Sequence, residues 1–287
     1  MTHNAASDLP AGGSDRLLRR PAVAGAFYPD SPGRLEAEVD AMLEEAEPAG
    51  LPRTPLALIE PHAGYMYSGA VAAAGYRQLA SEEERERVFM VGPSHRAAFQ
   101  GVAAWDGDGF LTPLGEVPVD RDAIADLIHE DSWIVRRNGV HDGEHAIEVQ
   151  LPFLQRRLGR FRLVPLVMGR QDQDTCERLG RALAAVAGAP GTLLVASSDL
   201  SHYHPYDVAV ALDRRTLEWV AAFDPEGLLA GLRRGECEAC GGGPMAAVLF
   251  AARALGGREV RVLSYRNSGD VTGDRSQVVG YPACAII

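Results

Sequence analysis

Short apolar runs alternate with amphipathic stretches along most of the chain. Runs rich in Leu, Val, Ile and Phe predict buried strands at residues 56–60, 87–92, 162–168, 192–197 and 260–265. Apolar residues three or four positions apart predict helices at residues 34–45, 69–79, 120–129, 146–158, 174–186, 209–222, 225–233 and 244–255. This alternation is typical of a mainly parallel or mixed sheet flanked by helices, so the predicted fold class is α/β.

The polar and apolar pattern also predicts the domain organisation. Residues 1–20 are polar, include Gly12-Gly13 and Arg19-Arg20, and are predicted to form a disordered N-terminal tail. No repeat, low-complexity block or Pro/Ser-rich linker divides residues 21–287. We therefore expect a single domain over residues 21–287.

Charge and lysine content exclude several classes of function. The 287 residues include 28 Lys+Arg against 39 Asp+Glu, and the net charge of −11 argues against nucleic acid and anionic membranes as partners. The chain contains no lysine. P-loop proteins, protein kinases and pyridoxal phosphate enzymes each need a specific lysine, so these classes are excluded. The motifs of NAD-binding domains and of serine hydrolases with a nucleophile elbow are missing too. We expect no NAD, pyridoxal phosphate or nucleotide cofactor.

Cysteine usage and the N-terminus bear on location. The four cysteines, at 176, 237, 240 and 284, are too few and too scattered for a disulfide framework, as is typical of a reducing cytoplasm. Residues 1–20 lack the apolar segment of a signal peptide, and the apolar runs are shorter than the roughly 20 residues of a membrane-spanning helix. The sequence predicts a cytoplasmic protein with no membrane partner.

Three of the predicted strands are followed by a histidine. His62, His95 and His202 come just after the strands at 56–60, 87–92 and 192–197. Because the carboxyl ends of parallel strands share one edge of a sheet, we expect these side chains to converge. Convergent imidazoles are typical of a metal site. Any one of them, taken alone, is better explained as a core or loop histidine bonded to the backbone, and it is the shared position of all three that favours a site.

A fourth segment places Glu144 and His145 at the start of the helix predicted at 146–158. A carboxylate at a helix N-terminus is often only a structural cap, and that explanation of Glu144 stays open. An imidazole at the same place has its charged form disfavoured. His145 is therefore a candidate neutral base or hydrogen-bond donor near a metal.

Cys240 is the candidate reactive cysteine. It opens a Cys-Gly-Gly-Gly-Pro segment just before the helix predicted at 244–255, and a helix N-terminus lowers the pKa of a thiol. The spacing to Cys237 resembles half of a zinc finger, but no second pair exists, so we interpret Cys237 as incidental.

Seven segments follow, in order, the motif pattern of the Memo family. They are PAVAGAFYP at 21–29, PHAGYMYSG at 61–69, GPSHR at 92–96, GEHAIEVQLPF at 143–153, SSDLSHY at 197–203, CGGGP at 240–244 and SGDVTGDRSQVVGY at 268–281. The chain resembles most closely the prokaryotic branch, labelled AmmeMemoRadiSam system protein B. The resemblance implies the fold of class III extradiol ring-cleaving dioxygenases, with the site at one edge of a central sheet.

The resemblance also implies a ligand set. The metal ligands of Memo proteins fall on His62, His95 and Cys240, and the family's association with iron or copper favours Fe(II) or Cu over Zn(II). Animal Memo proteins have a basic residue and a histidine where this chain has Gly242-Gly243. Whatever that pair does in animals is not transferred to this chain.

Acid and base groups are implied around that metal. Asp199 and His202 match pocket residues of the family, and His145 falls where dioxygenase-like proteins keep an acid–base histidine. With Glu144 they form the predicted catalytic set.

Three functions remain open at this point. The first is a mononuclear metal protein that performs redox or oxygen chemistry on a small molecule. The second is a non-catalytic metal-binding protein that works with the radical-SAM partner protein implied by the family label. The third is a zinc-type hydrolase that uses Asp199 and His202 around a metal-bound water.

Overall fold

The computed structural model describes residues 16–79 and 86–287. Its strands are β1 (Leu18–Arg19), β2 (Ala57–Glu60), β3 (Arg87–Pro93), β4 (Val102–Ala104), β5 (Gly109–Thr112), β6 (Gly115–Pro118), β7 (Ile134–Arg136), β8 (Arg162–Met168), β9 (Thr192–Ser197), β10 (His202–His204), β11 (Val260–Asn267) and β12 (Val278–Ile286). Its α-helices are α1 (Pro32–Glu45), α2 (Tyr65–Tyr76), α3 (Arg121–Glu130), α4 (Leu151–Leu158), α5 (Gln173–Val186), α6 (Tyr206–Ala221), α7 (Pro225–Arg234), α8 (Gly242–Ala254) and α9 (Ser268–Thr272). Single 3₁₀ turns lie at Asn138–Val140 and Glu148–Gln150.

A mixed sheet forms the centre of the molecule. Within the described ranges its strand order is β10-β12-β2-β9-β3-β8-β4-β7, and β11 pairs with β12. The middle strands β2, β9, β3 and β8 are parallel, while β12 and β4 join them antiparallel. Helix α8 packs against β2, β3 and β9, and α2 packs against β2, β11 and β12. The predicted α/β class, with a mixed sheet flanked by helices, is confirmed.

The four parallel strands match the sequence prediction closely because each is an apolar run buried in the sheet. Strands β8 and β9 have the predicted bounds, and β2 and β3 differ by one residue at one end. The prediction missed β12, which contains Gly280 and Pro282. Both residues are unfavourable in strands, which hid a strand that lies beside β2.

The helix predicted at 146–158 begins later than expected. Helix α4 starts at Leu151, after the 3₁₀ turn, and Pro152 lies in its first turn. A helix from 146 onwards would put Pro152 in its interior, where the ring blocks a backbone hydrogen bond. Residues 144–147 are therefore a loop, and this loop carries Glu144 and His145.

The predicted tail needs correction at its end. Residues 1–15 lie outside the described residues, but Leu18–Arg19 form β1 beside β5. Arg19 is 3% exposed and its guanidinium Nη1 lies 2.7 Å from Glu148 Oε2. The arginine pair looks solvent-exposed in the sequence, but a buried carboxylate partner satisfies Arg19 inside the fold. No helix in the described part of the chain is long and apolar enough to cross a membrane.

Candidate metal centre

Three histidines form a compact cluster at the carboxyl edge of the parallel strands. The ring centroids of His62 and His95 lie 5.1 Å apart, those of His62 and His145 5.4 Å, and those of His95 and His145 4.7 Å. One potential ligand atom from each ring lies within 4.8 Å of the other two. Opposite nitrogen ligands of one ion lie roughly 4 Å apart, so this group can hold a metal ion with small adjustments.

Strand topology explains why these residues meet. His62 follows β2 and His95 follows β3, and both strands run parallel to β9, which lies between them. The loop that carries His145 reaches the same edge because Gly92 has no side chain. A Cβ at Gly92 would lie 3.0 Å from the Cβ of Ala146.

Hydrogen bonding fixes the tautomer of His62. Its Nδ1 lies 2.8 Å from Ser197 Oγ. Ser197 donates its only hydroxyl hydrogen to the carbonyl oxygen of Ala146, at 2.7 Å. The serine oxygen must therefore accept a hydrogen from His62, so Nδ1 is protonated and Nε2 keeps its lone pair.

The orientation of Ser197 is fixed from the core by Gln150. The Nε2 amide of Gln150 donates to Ser197 Oγ and to the carbonyl oxygen of Pro61, each at 2.9 Å. Gln150 Oε1 accepts the hydroxyl hydrogen of buried Tyr76 at 2.8 Å. Because the Pro61 carbonyl can only accept, the amide cannot be flipped. A chain of hydrogen bonds thus runs from Tyr76 to the His62 ring.

Glu144 fixes the tautomer of His95, as Ser197 fixes that of His62. Its Oε1 lies 2.9 Å from His95 Nδ1, and its Oε2 accepts the backbone N–H of His95 at 2.8 Å. Burial opposes ionisation of Glu144, but the hydrogen bonds from His95 and from the Ala146 backbone outweigh it and lower its pKa to about 2. An ionised carboxylate on Nδ1 leaves His95 Nε2 free for a metal.

His145 is held differently from the other two rings. It stacks on His95, and its edge meets the Phe27 ring at a centroid distance of 5.0 Å. Its Nδ1 is 3.5 Å from Glu144 Oε1, too far for a good hydrogen bond. Burial, opposed by the Glu144 charge, lowers the pKa of His145 to about 4. The ring is therefore neutral at pH 7.

Cys240 lies beside the cluster. Its Sγ is 3.2 Å from His62 Nε2 and accepts the backbone N–H of Asp199 at 3.3 Å. Burial, together with the nearby Asp199, raises the pKa of the Cys240 thiol well above its ordinary value. The expectation that a helix N-terminus lowers this pKa is wrong for the metal-free chain. Cys240 precedes the N-cap Gly241, and desolvation dominates there.

Asp199 and His202 complete the surroundings. Asp199 is 4% exposed, and its Oδ1 accepts the backbone N–H of His62 at 2.8 Å. Burial raises the pKa of Asp199 to about 7 against the opposing hydrogen bonds. His202 Nδ1 donates to the carbonyl oxygen of Leu200 at 2.8 Å, and burial lowers its pKa.

Six of the seven residues predicted from the sequence lie in or against this cluster, and His202 is the exception, with hydrogen bonds to Leu200 and Glu238. The sequence assigns His62, His95 and Cys240 as ligands and His145 as an acid–base group, whereas His145 lies in the three-histidine group. Sequence reasoning missed Ser197 and Gln150. Both residues lie inside motifs that carry the family resemblance, at 197–203 and 143–153, and Ser197 also ends the predicted strand at 192–197.

The glycine pair after Cys240 is also explained. A Cβ at Gly243 would lie 2.7 Å from both the Cβ of Gln171 and the Sδ of Met168, and one at Gly242 would lie 2.3 Å from Leu232 Cδ1. Side chains at 242 and 243 would require these neighbours to move.

Comparison with known proteins gives consistent matches. A family model described as Memo-like protein matches residues 19–285. A MEMO1 family protein of Methanothermobacter thermautotrophicus is 39% identical over 273 residues, which cover 92% of this chain and 99% of that protein. A MEMO1 family protein of Methanopyrus kandleri is 40% identical over 277 residues, covering 93% and 98%.

One solved structure bears on the fold. The crystal structure of an uncharacterized protein from Escherichia coli K12 matches with a TM-score of 0.52 and covers 81% of this chain and 100% of that chain. Its sequence is 14% identical, so the likeness concerns the fold alone.

Proposed function

The chain belongs to the Memo-like protein family, and on that premise we propose that it binds one transition-metal ion for redox or oxygen chemistry on a small molecule. One observation carries the proposal. His62 and His95 lie side by side with Nδ1 bonded to Ser197 and Glu144, which leaves both Nε2 atoms available as ligands.

We assign Cys240 as the third ligand and His145 as a proton carrier. Cys240 Sγ is already 3.2 Å from His62 Nε2, roughly the separation of two ligands on one ion. The His145 ring makes no hydrogen bond within the described residues that would fix its tautomer. A ring that stays free to gain or lose a proton suits acid–base work better than ligation.

The donor set indicates the metal. Two imidazoles and a thiolate are softer than two imidazoles and a carboxylate, and they suit iron, copper and zinc. A bound iron or copper ion would supply the electron transfer that the side chains cannot perform. We favour Fe(II) or Cu on the family resemblance.

The surrounding residues handle protons. Asp199, with a pKa of about 7, can take or give a proton at neutral pH. His202 keeps a free Nε2 because Nδ1 donates to Leu200, so it can accept a hydrogen bond from substrate. Asp199 and His62 are buried, which strengthens their charge interactions, whereas His95 is exposed and gives a small molecule access to the site.

Asp199 also supports a second candidate, hydrolysis at a zinc-bound water. A carboxyl group with a pKa near neutrality is a suitable general base for such a water. The third candidate, a non-catalytic metal protein acting with a radical-SAM partner, needs none of these proton carriers.

Metal analysis of protein purified without air, followed by oxygen uptake with Fe(II), Cu(I) or Zn(II), tests the proposal. We expect one equivalent of metal and, with iron or copper and ascorbate added as the electron donor, oxygen uptake faster than with the same concentration of the free ion. His62→Ala should lose the metal, and His129→Ala, at an exposed position, should keep it. Hydrolysis with zinc alone would favour the second candidate. Stoichiometric metal without turnover would favour the third, and no metal binding would overturn the proposal.

A further inference from the structure

We propose that a cavity behind the Cys240 turn is a second ligand site, and that it takes a small organic anion with an apolar body. The cavity has a volume of about 540 Å³, within the range of small-molecule sites. Arg170, Gln171, Leu229, Leu232 and Arg233 lie in its wall. The three histidines do not line it, so this site is separate from the metal centre.

The wall carries two guanidinium groups and two carboxylates, so the free hydrogen-bond donors decide which ligand it takes. Glu238 and Asp172 also line the cavity, but both carboxylates are already bonded within the protein. Glu238 Oε2 lies 2.7 Å from His204 Nε2, and Asp172 Oδ1 accepts the backbone N–H and the hydroxyl hydrogen of Thr175. These bonds occupy acceptor atoms of both carboxylates, although each group keeps its negative charge.

The two arginines have hydrogen-bond donors that the described residues leave unused. Arg233 makes no ion pair among the described residues, and Arg170 makes one long contact of 3.7 Å with Asp172 while 72% exposed. Two guanidinium groups with free donors can bind a carboxylate or a similar anion by charge-assisted hydrogen bonds.

The remaining wall is apolar. Leu229, Leu232 and Ala239 line the cavity beside Cys237, whose side chain is buried. An inorganic anion such as phosphate would leave this surface uncovered. A carboxylate attached to an apolar group satisfies both parts of the wall.

The cavity is joined to the metal centre through Gln171. Its Nε2 donates to the carbonyl oxygen of Cys240, and its Oε1 accepts the backbone N–H of Gly243, each at 2.7 Å. Gln171 therefore holds the turn that carries Cys240. An occupant of the cavity would touch the residue that positions the thiol.

Isothermal titration of metal-free protein with benzoate and with benzamide tests the site. The two probes have nearly the same shape and differ in charge, and the absence of metal keeps the result independent of the metal proposal. We expect benzoate to bind and benzamide to bind at least about tenfold more weakly. Equal binding, or no benzoate binding in the millimolar range, would overturn the proposal.

Variants locate the binding. Arg170→Met and Arg233→Met should each weaken benzoate about tenfold. Arg181→Met is the matched control, since Arg181 is 70% exposed with a 3.7 Å ion pair elsewhere, and it should have no effect. Ala239→Leu narrows the cavity and keeps both arginines, so it should weaken binding. Unchanged benzoate affinity in Ala239→Leu, or a loss in Arg181→Met equal to that in the two arginine variants, would place benzoate on the open surface and overturn the proposal. Thermal unfolding checks that each variant is folded.

Discussion

Glu144 hydrogen-bonds His95 at two points, with one carboxylate oxygen 2.9 Å from the ring Nδ1 and the other 2.8 Å from the backbone nitrogen. A single carboxylate therefore fixes both the ring and the backbone of one proposed ligand. The same oxygen that meets the ring also accepts the backbone N–H groups of His145 and Ala146. The loop before α4 and the end of β3 are thereby held as one unit.

Glu144→Gln should weaken metal binding about 10- to 100-fold. The glutamine amide has one oxygen and one NH2 group where the carboxylate has two oxygens. The NH2 group would therefore face an N–H donor of His95 or His145. Competition with a chromophoric chelator measures the affinity. Glu116→Gln, at an exposed ion pair with Arg16, is the control and should bind metal normally. Equal affinities in the two variants would contradict this role for Glu144.

Ser197→Ala should lower both stability and metal affinity. It leaves the His62 Nδ1–H and a Gln150 amide hydrogen unpaired in the core, a loss of roughly 2 kcal/mol in the free energy of unfolding. The His62 tautomer is then no longer fixed. Nitrogen-15 spectra of the imidazole should show Nδ1–H in the unmodified protein, and Ser276→Ala, at an exposed serine, should not change them. An Nε2–H tautomer in the unmodified protein would refute the assignment.

Buried His141 should make the protein acid-sensitive. Burial lowers the pKa of His141 to about 4, so folding favours the neutral ring. Its contribution to stability is complete above the unfolded pKa of about 6.5 and is lost as the pH falls towards 4, by about 3 kcal/mol. Urea unfolding across this range should show a shallower pH dependence for His141→Gln. His129→Gln, at an exposed histidine, should keep the original slope, and identical slopes in all three proteins would rule the effect out.

Cys240 should react slowly with alkylating reagents when no metal is present, because burial raises its pKa. Reaction should become fast only at strongly alkaline pH. Added Co(II) should produce a sulfur-to-metal charge-transfer band that Cys240→Ser loses and Cys237→Ser keeps. If the unmodified protein gives no such band, Cys240 is not a ligand and the three-histidine group becomes the better assignment.

The sequence was sufficient for the strands that build the site edge. Strands β2, β3, β8 and β9 are apolar on both faces, so continuous apolar runs reveal them. Strands β4 and β7 have three residues each, and β5 and β6 contain Gly109, Gly115 and Pro118, so none of the four presents a continuous apolar run. Strand β12 was hidden by Gly280 and Pro282, which the ladder tolerates in their particular places.

The candidate site residues could be nominated because chemistry follows strand ends, but the sequence could not show which of them lie closest together. The position of His145 depends on where α4 begins, and Pro152 decides this through its missing N–H. The pKa of Cys240 depends on burial by residues far away in the sequence. The effect of a helix N-terminus on a pKa can be inferred from local sequence, whereas desolvation cannot. For the Cys240 thiol, desolvation is the larger effect.

The place of β12 beside β2 has a consequence for biosynthesis. Cys284, Ala285 and Ile286 pair with Ile59, Leu58 and Ala57, on the strand that ends just before His62. This flank of the strand stays open until Val278–Ile286 has been translated, although His62, His95 and Cys240 all precede that segment in the chain. The strand that leads to His62 therefore completes its pairing only when the last segment of the chain has been made.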